Sequence, residues 1–234
     1  ITSGNWPASE FQYGYSGKII DADNDSFFDE IVYDNNDGYV EVYNRTGDRI
    51  WLSENLTSLG GSMDDLAVGD FDNQGFVNDI VFGLQRPDDF YVFVYNSTDG
   101  ITWTQLWNQT VENDLLEIEV GDFDRNGLSN DIAFAAENGF ISTYIGNNGS
   151  LIWNTTDLGS YTYSITAIDL DQNGIASEIV VGEFQDAYAF DFNGTYNTTY
   201  GLGDSISSNS DMVGSIYEIT SADFDGDGIN DDMV

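Results

Sequence analysis

Five segments of this chain bring carboxylates together at one fixed spacing: DADNDSFFDE from Asp21, DFDNQGFVND from Asp70, DFDRNGLSND from Asp122, DLDQNGIASE from Asp169 and DFDGDGINDD from Asp223. A hard cation such as calcium takes about 6 to 8 oxygens, so a loop that binds it must fold several oxygen ligands onto one point, and alternate positions 1, 3 and 5 do this when position 6 allows a sharp turn. Position 1 is Asp21, Asp70, Asp122, Asp169 and Asp223, and position 3 is Asp23, Asp72, Asp124, Asp171 and Asp225. Position 5 varies as Asp25, Gln74, Asn126, Asn173 and Asp227. Position 6 is Gly75, Gly127, Gly174 and Gly228, with Ser26 in the first loop.

Two later positions compete for the remaining ligand. Position 9 carries Asp29, Asn78, Asn130, Ser177 and Asp231; position 10 carries Glu30, Asp79, Asp131, Glu178 and Asp232 and is acidic in all five. The loops are expected to hold calcium at up to five sites. Counting charge ranks the fifth loop tightest and the fourth, with Asn173 and Ser177, weakest.

The first aspartates of successive loops are 49, 52, 47 and 54 residues apart, and a repeat in that range decides the fold class. Alternation before each loop, as in Leu66 and Val68 or Ile118 and Val120, predicts a first strand. Apolar runs after it (Ile80 to Phe82, Ile132 to Phe134, Ile179 to Val181) predict a second strand covered on both faces. A third follows at Tyr39 to Tyr43, Phe90 to Tyr95, Phe140 to Tyr144 and Ala187 to Phe192, ending in Asn or Gly turns. The fourth carries an aromatic residue: Trp51, Trp103 or Trp107, Trp153 and Tyr200.

Four strands in about 50 residues match a β-propeller blade. The expected fold is therefore all-β, a propeller of four-stranded antiparallel blades with a calcium loop between strands one and two. Residues 1–234 read as one propeller domain or part of one, with units near 13–61, 62–113, 114–160, 161–214 and a partial 215–234. A solenoid of β-hairpins shares the periodicity and is the alternative. The last unit stops where a strand should begin, so the missing blades are expected from further sequence of the natural chain, with another subunit as the alternative.

These loops resemble the FG-GAP and VCBS-type calcium-loop repeats of extracellular β-propellers, found in integrin α-subunit heads and microbial surface proteins. The family form is D-x-D-x-D-G-x-x-D before an apolar strand, and Asp79-Ile-Val-Phe-Gly83 is similar to its ending. One extra residue separates the glycine from the strand here, so the family's last aspartate corresponds to position 9 or to position 10. The stretch GYVEVYNRTGDRIW, ending at Trp51, also resembles blades of quinoprotein-type propellers.

Composition narrows the partners. Five Lys and Arg against 42 Asp and Glu give a net charge of −37, which repels nucleic acid and anionic membranes and favours cations. Apolar residues at 41% and aromatics at 15% suit a folded core. No apolar run is long enough to span a bilayer. There is no Cys and no His, and Lys18 is the sole lysine, which removes Ser-His, Cys-His and most Schiff-base designs.

Nine Asn-x-Ser/Thr sequons exceed what composition alone produces. Asn44, Asn55, Asn96, Asn108, Asn148, Asn154, Asn193 and Asn197 are candidate glycosylation sites, whereas Asn24 sits inside a calcium loop and is expected to stay bare. The expected location is extracellular or at a cell surface. The expected function is a non-enzymatic structural, adhesive or protein- or glycan-binding module, such as a surface-layer or filament component, with other surface proteins, glycans or like subunits as partners. The alternative is a polysaccharide-active enzyme using acid pairs such as Asp64-Asp65, Asp88-Asp89 or Asp114 with Glu117.

Overall fold

The computed structural model describes residues 16–35, 38–56, 62–85, 89–111, 114–155, 158, 161–183, 187–195, 216–229 and 231–233. Among them the regular structure is entirely β. The chain divides into two compact units, Ile1–Glu112 and Asn113–Val234, and the dividing point coincides with the boundary between the second and third sequence repeats.

The first unit holds two four-stranded sheets. One is β1 (Gly17–Ile20), β2 (Glu30–Asn35), β3 (Tyr39–Tyr43) and β4 (Arg49–Leu52); the other is β5 (Ser62–Gly69), β6 (Asp79–Gln85), β7 (Phe90–Ser97) and β8 (Trp103–Val111). The second unit holds β9 (Leu115–Gly121), β10 (Asp131–Ala136), β11 (Ile141–Tyr144) and β12 (Leu151–Asn154). It also contains the three-stranded β13 (Ser164–Ile168), β14 (Glu178–Gly182) and β15 (Ala187–Phe190), and the pair β16 (Ser221–Ala222) and β17 (Asp232–Met233). Every sheet is an antiparallel meander in chain order. The expected fourth strand of the fourth repeat, with Tyr200, lies outside the described residues, as does Asp88 of the acid pair Asp88-Asp89.

The second strands are buried on both faces, as their unbroken apolar runs predict: β10 and β14 are buried at every residue. In the first unit a core joins Val32, Val40 and Val42 of one sheet to Leu66, Ile80 and Phe82 of the next. In the second, Ala133, Ile141 and Trp153 pack with Ile165, Ile179 and Phe190. Trp51, Trp103 and Trp153 lie between consecutive sheets, where a large flat ring fills the splay between them. Trp51 stacks on Trp103 at 5.0 Å between ring centroids, and Trp153 meets Phe190 at 6.2 Å.

Candidate metal centres

Each acidic loop joins the first and second strand of its sheet, and strand register fixes its closing pair. Position 10 opens the second strand and faces the residue just before position 1: Glu30 opposite Ile20, Asp79 opposite Gly69, Asp131 opposite Gly121, Glu178 opposite Ile168 and Asp232 opposite Ala222. Nine residues are thereby folded into a turn between two ladder positions.

The position 1 carboxylate organises that turn. Asp122 accepts from the Asn126 and Gly127 amides at 2.9 and 2.8 Å, and Asp70 from Gln74 and Gly75 at 2.8 and 2.7 Å. The same pair of bonds recurs from Asp25 and Ser26 to Asp21, from Asn173 and Gly174 to Asp169, and from Asp227 and Gly228 to Asp223. The backbone must then take positive φ twice. At position 6 the four glycines lie between 87° and 92°, and Ser26 adopts 70° without glycine's freedom. Asn24, Asn73, Arg125 and Gln172 adopt 56° to 63° at position 4.

Five groups result in which one oxygen from each carboxylate lies within 4.8 Å of the others: Asp21, Asp23 and Glu30; Asp70, Asp72 and Asp79; Asp122, Asp124 and Asp131; Asp169, Asp171 and Glu178; and Asp223, Asp225 and Asp227. Each could hold a metal ion. In the first four groups the position 10 carboxyl is buried, Asp79 and Asp131 fully so, and Asp21, Asp122 and Asp169 at position 1 are buried as well, while Asp23, Asp124 and Asp171 at position 3 are exposed. Asp72 and Asp124 donate backbone N–H to Asp79 and Asp131 at 3.0 and 2.8 Å.

Burial without a cation disfavours the charged form. Desolvation, reinforced by the neighbouring Asp72, pushes the Asp79 carboxyl up to about 7. Asp131 likewise rises to about 7, chiefly through burial. Glu30 rises to about 8 through burial, with hydrogen bonding to Asp29 and the charges of Asp23 and Asp29 adding to it. The Asp131 Oδ1 oxygen is buried outside hydrogen-bond geometry, with the Gly146 backbone N–H the remaining polar group facing the carboxyl. A buried anion with an oxygen so placed is costly, and a divalent cation bridging to Asp122 and Asp124 would remove that cost. The donor set is all oxygen, which suits a hard cation.

The two late positions separate cleanly. The acidic position 9 residues Asp29 and Asp231 are outside the gathered groups and turn to other partners. Asp29 faces Arg45 at 3.6 Å, and Asp231 accepts from Gln172 Nε2 at 2.7 Å. Asn78 donates to Asn24 Oδ1 at 2.9 Å and to the Ser97 carbonyl. Asn130 is buried, and Ser177 donates to Glu178 Oε1 at 2.9 Å. Position 5 caps the turn instead: Asp25, Asn126, Asn173 and Asp227 each accept from the amide two residues on, Gln74 donates to Asp72 at 2.6 Å, and Asp227 alone joins a gathered group. The Asp232 side chain lies outside the described set.

Sequence reasoning missed position 4. Asn24 and Gln172 reach the ninth position of the following loop, and Arg125 reaches Ser177 at 2.9 Å from Nε. The available signal was a lone cation, one of only five in the chain, inside an acidic loop.

Among the other candidates, Asn108, Asn148, Asn154 and Asn193 are exposed, Asn44 and Asn55 are half-buried, and Asn197 lies outside the described residues. Asn96 is half-buried and donates to Asp72 at 2.9 Å. Asp64 and Asp65 sit at a register shift in β5, and Glu117 accepts from the Ile165 amide at 2.7 Å, a bond between β9 and β13.

No family model and no curated protein sequence matches the chain. Solved structures share its fold at low identity, and two serve as examples. Saccharomyces cerevisiae Sqt1 aligns with a TM-score of 0.57 and 15% identity over 71% of this chain and 45% of its own. The computationally designed Ika8 protein aligns at 0.53 and 17% over 72% of this chain and 45% of its own. The chain thus spans under half the length of either. At such identity the likeness concerns fold alone.

Proposed function

We propose that this chain is part of a calcium-stabilised β-propeller of the FG-GAP and VCBS type, working outside the cell or on its surface as a structural, adhesive or protein- or glycan-binding module. The observation that carries the reading is the repeated gathering, in the first four loops, of a buried position 10 carboxyl with the position 1 and position 3 aspartates around one point. Calcium is favoured over magnesium because each turn offers several carboxylates at once, whereas magnesium is usually held by one or two and keeps its waters.

The propeller reading is supported by which strands adjoin. In the first unit β1 lies against β5, and in the second β9 lies against β13 and β13 against β16. First strand beside first strand is how blades meet around a central axis. Exposed sequons at Asn108, Asn148, Asn154 and Asn193 support a glycosylated surface, and the charge of −37 supports a partner rich in cations.

Calcium titration followed by thermal unfolding tests the metal. Calcium should raise the melting temperature and chelation should reverse the rise; an unchanged transition overturns the reading. Incubation with polysaccharides tests the module, since chelator-sensitive hydrolysis would make it an enzyme.

A further inference from the structure

The fourth acidic group differs from the first three in what fills it. Arg125, at position 4 of the third loop, places its guanidinium between Asp171 and Glu178: Nη2 donates to Asp171 Oδ2 at 3.0 Å and to Glu178 Oε1, and Nε donates to Ser177 Oγ at 2.9 Å. The Phe192 ring lies 3.9 Å from the guanidinium carbon, so one face of the cation is held by an aromatic π-system. The Arg125 side chain is 25% exposed and that of Glu178 1%. A carboxylate taken out of water needs a partner that stays charged, and a guanidinium does so at any physiological pH.

We propose that Arg125 is the resident cation of the fourth loop, occupying the place that a divalent ion takes in the other loops and keeping that ion out. The inference rests on the calcium reading for what is excluded, and on geometry alone for what occupies the site. An ion bridging Asp171 Oδ2 and Glu178 Oε1 would sit where Nη2 sits, and two cations cannot share that position. The third and fourth loops are thereby joined by the chain itself, whatever the calcium concentration.

Position 4 offers a clean test, because it needs positive φ (57° at Arg125) and asparagine tolerates that conformation well. Arg125→Asn should therefore keep the turn and remove only the cation. Equilibrium dialysis of the full chain against radioactive calcium should show Arg125→Asn binding one more ion than the parent, and Arg125→Asn with Glu178→Gln returning to the parental count. An unchanged count in Arg125→Asn overturns the exclusion.

Melting in excess chelator separates this inference from the calcium reading. There Arg125→Asn should melt on the order of 4 °C lower, because Glu178 is left buried without its cation. Calcium should then raise its melting temperature by more than it raises the parent's. A chelated Arg125→Asn protein that melts with or above the parent overturns the occupancy itself. If the chelated loss appears while neither protein binds calcium, the guanidinium remains the occupant and the calcium reading is what falls.

Discussion

The third and fourth loops share a backbone and differ in how they neutralise the same buried charge. Asp122 and Asp169 accept the same two amide bonds, and Asp131 and Glu178 open equivalent strands. Burial raises both carboxyls, Asp131 to about 7, and leaves each with one oxygen outside hydrogen-bond geometry; the difference is that Glu178 meets Arg125 through Oε1. On the proposed reading, one loop awaits an external cation and the other carries its own. A repeat can keep its geometry while exchanging an ion-dependent joint for an ion-independent one.

The widest separation should come from neutralising the two strand-opening acids. At calcium about 1,000 times its dissociation constant, one site stabilises by roughly 4 kcal/mol, so Asp131→Asn should melt on the order of 10 °C below the parent in calcium. In chelator at pH 8 the same variant should match or exceed the parent, because the amide removes a buried charge. Glu178→Gln should lose stability equally in both conditions. A calcium-dependent loss in Glu178→Gln would erase the distinction between the loops.

pH sharpens the same contrast. Asp79, Asp131 and Glu30 have folded-state values near 7, 7 and 8, above their ordinary range near 4. The folded chain keeps protons that the unfolded chain has lost, so their contribution is fully present below about pH 4 and disappears as pH rises through 7 to 8. Chelated protein should melt several degrees lower at pH 8 than at pH 5. General repulsion in so acidic a chain acts in the same direction, so the decisive comparison is Asp79→Asn with Asp131→Asn, whose chelated pH slope should be flatter than the parent's. An unchanged slope removes the two carboxyls as its cause.

Much of this was legible in the sequence because it depends on local rules. The loop spacing, the two-faced burial of β10 and β14 and the tryptophan of each complete sheet follow from residue type and period. In the first four loops register across the turn brings the position 10 carboxyl, and not position 9, into the gathered group, as where Asp79 and Asp131 complete the ladder against Gly69 and Gly121. That register is non-local and was left open. Arg125 was missed because its partners lie some 50 residues away, and nothing in a single loop says which neighbour a long side chain will reach.

Packing beneath the loops provides a smaller test. Gly121 precedes Asp122 where the fourth loop has Ile168, and an added Cβ there would meet the Phe123 ring at 2.6 Å and the Ala176 carbonyl at 3.1 Å. The second and third loops thus pair glycine with a buried phenylalanine, while the fourth pairs isoleucine with Leu170. Gly121→Ala should cost about 1 to 3 kcal/mol, and Phe123→Leu in the same chain should restore part of it by copying the fourth loop's allocation of volume. Thermal unfolding of the single and double variants measures both. Independent losses that simply add would show that the two residues do not share one space.

The first loop supplies the mildest contrast, in backbone rather than charge. Ser26 holds φ at 70° where Gly127 and Gly174 hold 89° and 87°. A left-handed residue with a Cβ costs roughly 1 kcal/mol, partly offset because glycine loses more freedom on folding. Ser26→Gly should therefore gain only about 0.5 kcal/mol, or on the order of 1 °C in melting temperature. The substitution also removes the sequon at Asn24, so parent and variant must both come from a host that adds no glycans. The reciprocal Gly127→Ser should lose a similar amount, since an added Cβ there meets nothing within 4 Å and conformation is the only cost. A much larger loss from Gly127→Ser would mean that the third loop's turn is held to tighter limits than the first's, as expected of a turn whose ligands must all reach one ion.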